Sequence, residues 1–318
     1  MRVVPSLALT LSATNAAEST YNAWNVATAY VAGNKVYYNP TSALVYHEFE
    51  SLTSHTGVTP TIGGGVNWLD LGPANARAMF DDRTSTQTLV DEEIEVTVIP
   101  GGFFDTVALL NISGASTAQI VIVYDSTTLY DETFDVSGNA EDWDQYFFGE
   151  DEDNLAALSV VPGIFGDDTP GRAALIVNPA IFYSNCTVTV TLTGSPGADA
   201  GIGLLLIGRS RFLGDTLYAP TLGIEDFSTK ETDAFGNTYL LERPYADTVT
   251  AQMILDTVQV DAVRRELARY RATPVLYNLN NSTTSYESLL VFGFFESFEI
   301  SLAFDTKSYC DLRVQSLI

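Results

Sequence analysis

Short runs of β-branched residues recur along this chain, and they constrain its fold more than any other feature. Residues 94–99 read IEVTVI, residues 119–124 QIVIVY and residues 187–192 TVTVTL. Val, Ile and Thr are stiff at χ1 and pack well on a pleated surface, and a period of two gives such a strand one buried face. Gly, Pro, Asp or Ser turns lie near the ends of each run. Short strands spaced in this way predict antiparallel sandwiches rather than a parallel sheet with crossover helices. Only residues 260–270 predict a helix, with Val260, Val263, Leu267 and Tyr270 on one face. Thr257 or Asp261 is placed to cap it, and Pro274 to close it off.

The expected fold class is therefore mainly β. It comprises a small N-terminal β module over residues 1–72, a jelly-roll-like β-sandwich over 73–208, and a C-terminal β-rich domain with one helix over 209–318. Charge places the divisions. Between Arg83 and Arg172 there is no Lys or Arg, and 18 Asp and Glu fall between Asp91 and Asp168. From Arg209 onward, 10 basic residues face 15 acidic ones. The glycine-rich connection 208–214 separates the two stretches, and Gly63, Gly64 and Gly65 mark a further break before Trp68. The start of the chain has the outline of a secretory signal, with Arg2, a short apolar run, and Ala16 and Ala17. A single arginine and a proline within the apolar run make a poor signal. The alternation of residues 6–11, SLALTL, predicts a strand instead. No other stretch reaches the roughly 18 apolar residues of a membrane helix. The expectation is a protein made and used without general secretion or membrane insertion.

Composition excludes several function classes. Forty acidic residues against 15 basic ones give a net charge of −25. Nucleic-acid phosphates need a basic face, and an anionic membrane repels such a surface. Two cysteines, Cys186 and Cys310, and two histidines, His47 and His55, build neither a disulfide scaffold nor a thiolate metal site. Both cysteines read as small buried apolar residues, and His47 as a hydrogen-bonded histidine. No Gly-x-Ser-x-Gly elbow, phosphate-binding loop or His-Glu-x-x-His is present, and Gly201-Ile202-Gly203 lacks the third glycine of a dinucleotide site. Residues 149–154 and the pair Asp167 and Asp168 offer oxygen ligands for Ca2+, but not at the spacing of a helix-loop-helix site. They read as solvated loops. Carboxylate pairs such as Asp142 with Asp144, or Glu150 with Asp151, arise by chance among so many acids and do not by themselves predict glycoside hydrolysis. The expectation is a protein that is not an enzyme and uses no cofactor or metal.

Two segments carry resemblances. Trp24, Tyr30, the run Gly33-Asn34-Lys35-Val36-Tyr37-Tyr38, Tyr46, Pro60 and Trp68 resemble the small chitin- and cellulose-binding modules attached to bacterial glycosidases. That resemblance implies stacking of aromatic faces on sugar rings, with Tyr38, Tyr46 and Phe49 as the platform and Trp24, Tyr30 and Trp68 as the core. The chain departs from the pattern after the last hairpin strand, where Glu48-Phe49-Glu50-Ser51-Leu52 offers only Phe49. Further on, Gly72, Pro73, Asn75, Met79, Phe80 and Asp81 resemble a junction found in tail and other virion proteins of bacteriophages. Residues 223–249, and the strand 207–211 before them, are similar to the same proteins. Physically, Gly72-Pro73 is a turn, Asn75 is able to bond its own backbone, and Met79 and Phe80 are able to pin the linker to the next domain.

The virion resemblance implies a structural protein of the tail, baseplate or neck. Its partners would be copies of itself and other virion tail or neck proteins, with host cell-surface glycans as a further contact and no nucleic acid. Two sets of residues are candidates for contacts between subunits. Arg264, Arg265, Arg269 and Arg271 form a basic helix face that either meets the acidic face of a neighbour or stays solvated. Trp143, Tyr146 and Phe147 mix large apolar groups with acids at what reads as a sandwich edge. A carbohydrate-binding adhesin is the alternative from a different class, and a glycan hydrolase the third.

Overall fold

The alternation written in the sequence is realised strand by strand in the computed structural model. It describes residues 1–39, 44–136, 158–161, 173–177, 182–183, 185–194, 197–217, 219–232, 238–280 and 287–317. In Glu93–Pro100 the side chains of Ile94, Val96 and Val98 are fully buried while Glu93, Glu95 and Ile99 face outward. Ala118, Ile120 and Ile122 of Ala115–Tyr124, and Val188, Val190 and Leu192 of Thr187–Gly194, follow the same rule. Together they line one wall of a single apolar core. The chain divides into two compact units, Leu7–Ile207 and a second made of Met1–Ser6 with Gly208–Ile318.

The larger unit holds the sandwich. One five-stranded sheet runs in the order Thr127–Asp135, Ala115–Tyr124, Thr187–Gly194, Glu93–Pro100, Leu9–Thr14. The other runs Leu158–Val161, Ala173–Val177, Thr106–Ser113, Asp199–Gly208, Thr88–Asp91. Glu93–Pro100, Thr106–Ser113 and Ala115–Tyr124 step from sheet to sheet, and Thr187–Gly194 is inserted between the first and third of them, antiparallel to both. Such crossing is the jelly-roll-like arrangement. The short 3-10 helix Asn75–Phe80 puts Met79 into the sandwich core and packs Phe80 against it, so the junction is pinned as predicted. Asn75 behaves otherwise than expected. Its amide donates to the Leu89 carbonyl and its oxygen accepts the Leu89 N–H, extending the sheet edge instead of closing a local turn. Asn15 does the same to Glu93 and Glu95 on the first sheet.

The aromatic module lies in the same unit. Asn22–Ala23, Lys35–Tyr38, His47–Ser51 and Trp68–Pro73 form a four-stranded sheet in that order, and Ala29–Tyr30 pairs with His55–Thr56. Its core is Tyr30, Val36, Phe49 and Trp68, with Trp24, Tyr38 and Val58 packed on them. A domain this small reaches adequate burial only with large rings.

Among the described residues the smaller unit has one eight-stranded open sheet, a separate two-stranded sheet and one α-helix. Its strand order is Arg211–Phe212, Arg2–Pro5, Val275–Asn278, Leu290–Ser301, Lys307–Ser316, Tyr245–Asp256, Asp215–Thr216, and Thr221–Asp226 also pairs with Tyr245–Asp256. Val249, Ala251, Met253 and Leu255 on one strand, and Cys310, Leu312 and Val314 on its neighbour, form the covered face. The helix Val260–Arg269 supplies Val263 and Leu267, with Tyr270 at its end. Gln259 stands at its N-cap with no side-chain bond. Thr257 donates instead to the Phe304 carbonyl, while Asp261 lies in the first turn, where it favours the dipole.

The beginning of the chain departs from the expected 1–72 module. Arg2–Pro5 pairs with Val275–Asn278 of the smaller unit, and Leu9–Thr14 pairs with Glu93–Pro100 of the sandwich. Alternation marks both stretches as strands but carries no record of the partner, which is set by contacts far along the chain. Among the described residues no helix is long and apolar enough to cross a membrane.

Candidate functional site

The aromatic platform expected from Tyr38, Tyr46 and Phe49 does not form. Phe49 is fully buried because strand alternation points it, with Ser51, into the module core while Glu48 and Glu50 face away. Tyr38 is half-buried and stands edge-on to Trp24, ring centroids 5.0 Å apart. Tyr46 is half-buried and lies nearly parallel to Tyr37 at 6.3 Å. The Arg77 guanidinium sits over the Tyr46 ring at 4.5 Å, a cation–π contact. Arg77 is fixed there by Glu18 through two bonds of 2.7 and 3.0 Å. The three residues therefore share no exposed surface.

His47 and Asp70 make the most constrained polar contact of the module. Nδ1 of His47 lies 2.9 Å from Oδ1 of Asp70, and the carboxylate also accepts the N–H groups of Gly63 and Gly72. Burial works to raise the Asp70 carboxyl, but these three donors outweigh it and hold it below the usual carboxylate range. The arrangement staples the loop at Gly63 to the last strand and leaves both side chains largely covered, so it is structural. Among the described residues no cluster of His, Cys, Asp and Glu is placed to hold a metal ion. The acidic segment 149–154, the pair Asp167 and Asp168, the pairs at Asp142 and Glu150, and the candidates Trp143, Tyr146 and Phe147 lie outside the described residues. Cys186 and Cys310 are buried free thiols, and burial pushes both up, Cys310 to about 12, which makes them inert.

The surface that stands out is on the smaller unit. Thr221–Asp226 pairs with the first half of Tyr245–Asp256 at the end of the eight-stranded sheet. The chain then continues into a separate two-stranded sheet, Thr229–Thr232 with Thr238–Leu241, and together they form an exposed ribbon. All six residues of Thr221–Asp226 are exposed. Leu222 sits opposite the buried Val249, so Leu222, Ile224 and Tyr245 continue the apolar face of the sheet into solvent. Ile224 is 65% exposed and Leu240 72%, with Phe227, Tyr239 and Leu241 also exposed. The waist between the two halves is tied by side chains: Asp226 accepts the Ser228 N–H, and the Ser228 hydroxyl accepts the Arg243 N–H.

A second apolar patch lies at the other end of Tyr245–Asp256. Val258, just past that end, is 95% exposed, and Leu302 and Phe304 are 70% and 63% exposed. The Thr257 N–H donates to the Thr306 carbonyl, which brings the two loops together. Val258 leads directly into the helix; Arg264, Arg265 and Arg269 on it and Arg271 just after it are all exposed, and among the described residues none of the four takes part in an ion pair.

Compared with known proteins, the chain matches no family model, no curated protein and no solved structure. The sequence pattern shows why the ribbon is hard to read in advance. Residues 238–241, TYLL, look like an ordinary half-buried strand, and only the structure shows Tyr239, Leu240 and Leu241 exposed.

Proposed function

We propose that this chain is a structural protein of a bacteriophage virion, in the tail, baseplate or neck, that works as many copies joined into a ring or decoration. The resemblance of the junction at residues 72–81 and of residues 223–249 supports the virion setting. The observation that carries multi-copy assembly is the apolar ribbon. A two-stranded ribbon is marginally stable in water by itself, and this one exposes seven large apolar side chains. They are 42–72% exposed, and because Leu240 faces away from Tyr239 and Leu241 they lie on both faces of the ribbon. A cluster of exposed large apolar side chains of this kind marks an interaction surface. The sandwich and aromatic module are then the parts carried by the assembly. The adhesin alternative loses its main support with the burial of Phe49.

Light scattering on the purified full-length chain at several concentrations tests this. The expected result is a discrete mass above the 34.5 kDa monomer, reduced to the monomer by Leu240→Asp with Leu241→Asp. A monomer at every concentration, unchanged by those substitutions, argues against assembly and sends the aromatic module to a glycan array.

A further inference from the structure

We infer that assembly is head-to-tail: the apolar ribbon of one copy docks on the Val258, Leu302 and Phe304 patch of the next, beside its helix arginines. The inference rests on the multi-copy reading and adds to it the partner surface. The two apolar patches sit at opposite ends of one strand, Tyr245–Asp256. The eleven steps from Tyr245 to Asp256, at ~3.3 Å each, separate them by roughly 36 Å. They are also unlike each other. One is a projecting ribbon with many side chains, and the other a compact patch of three. A two-fold contact of ribbon on ribbon would leave the second patch exposed, and a reciprocal two-fold dimer, with each ribbon on its partner's patch, would stop at two copies. A heterologous contact uses both at once, and repeats until a ring closes.

Charge favours the same pairing. The described ribbon residues 219–232 and 238–247 carry Glu225, Asp226, Glu231, Glu242 and Asp247 against Lys230 and Arg243. Residues 257–271 carry four arginines against Asp261 and Glu266. In a chain of net charge −25, this helix is one of the few surfaces that an acidic ribbon is able to approach, and like-charge contact of two ribbons is disfavoured.

Cross-linking decides between the geometries. Leu240→Cys and Leu302→Cys are made singly in the full-length chain, one carrying a mass tag, and treated with a short bismaleimide alone and mixed. Cys186 and Cys310 are buried and stay silent. Calorimetry checks that the smaller unit of each variant is folded, and Val258→Cys replaces Leu302→Cys if the latter is not. A cross-linked dimer that forms in the mixture, at least tenfold above either variant alone, together with a light-scattering mass above two copies, is the expected result, and a mass of two copies overturns the head-to-tail inference. Efficient cross-linking of Leu240→Cys to itself makes the contact two-fold and overturns the head-to-tail inference while leaving assembly intact. A multimer by light scattering with no cross-link in any sample overturns it as well. A monomer by light scattering with no cross-link removes the assembly reading itself.

Discussion

Asp70 shows how much a single carboxylate does for a small module. It accepts from His47, Gly63 and Gly72 at once, and its folded pKa is depressed despite burial. A depressed carboxylate contributes stability that is fully present above the unfolded value of ~3.9 and is lost as pH falls through the lower folded value. Acid below about pH 4 therefore loosens the aromatic module. The change is followed by the fluorescence of Trp24 and the buried Trp68, whose Nε1 donates to the Val58 carbonyl. Asp70→Asn is expected to cost about 1–3 kcal/mol at neutral pH and to flatten that part of the acid profile. Phe49→Ala tests the correction to the platform. As a core residue it lowers stability by about 3–5 kcal/mol, whereas an exposed sugar-stacking ring would leave the melting temperature nearly unchanged. The sequence showed that aromatics are concentrated here and which are large enough to form a core. It did not show the parity of Phe49, because the Gly-rich loop at 63–65 and the paired strand Trp68–Pro73 decide which face of His47–Ser51 turns inward.

At the scale of elements, legibility follows the local strength of the pattern. Glu93–Pro100, Ala115–Tyr124, Thr187–Gly194 and the helix Val260–Arg269 are visible in the sequence because their periodicity spans enough residues to state the buried face. The final strand Lys307–Ser316 is not, since Lys307, Asp311 and Arg313 interrupt it on the wet face while Ser308, Cys310, Leu312 and Val314 are buried. Leu290–Ser301 runs as one long strand, because Phe294 to Ser297 continue the pairing through a bulge. Gly293 is the position where this sheet is tightest. A Cβ there would run into the Gln315 carbonyl and the backbone of Ser316. Since backbone cannot swing aside, Gly293→Ala is expected to destabilise the smaller unit by about 1–3 kcal/mol. Calorimetry should show its transition shifted down and the sandwich transition unmoved. The helix arginines make the opposite prediction. Arg264→Glu with Arg265→Glu removes no buried contact, so the fold and melting temperature are retained, and the multimer mass falls at fixed protein concentration.

Over the whole molecule, charge is divided very unequally between the two units. Leu7–Ile207 holds 25 acidic and 4 basic residues, and Met1–Ser6 with Gly208–Ile318 holds 15 acidic and 11 basic ones. The units thus carry −21 and −4. The sequence discloses this asymmetry directly, but not that the nearly neutral unit also bears the exposed apolar ribbon, which is a property of pairing. The coincidence makes physical sense for a protein that joins copies: repulsion is lowest where contact is made, and the acidic sandwich keeps other surfaces from sticking. Two opposing electrostatic terms would act on the proposed head-to-tail assembly. The attraction between ribbon acids and helix arginines is local and short-ranged. The repulsion between whole subunits of charge −25 acts over the Debye length, ~30 Å at 0.01 M salt and ~8 Å at 0.15 M. Salt removes the long-range term first, and apolar contact is insensitive to screening. Raising sodium chloride from about 0.01 to 0.15 M is therefore expected to increase the multimer fraction, and sedimentation velocity at constant protein concentration reads it directly. Should the multimer instead dissolve over that range, the arginine–carboxylate contacts and not the apolar ribbon hold the copies together. Leu240→Asp would then weaken assembly less than Arg264→Glu with Arg265→Glu.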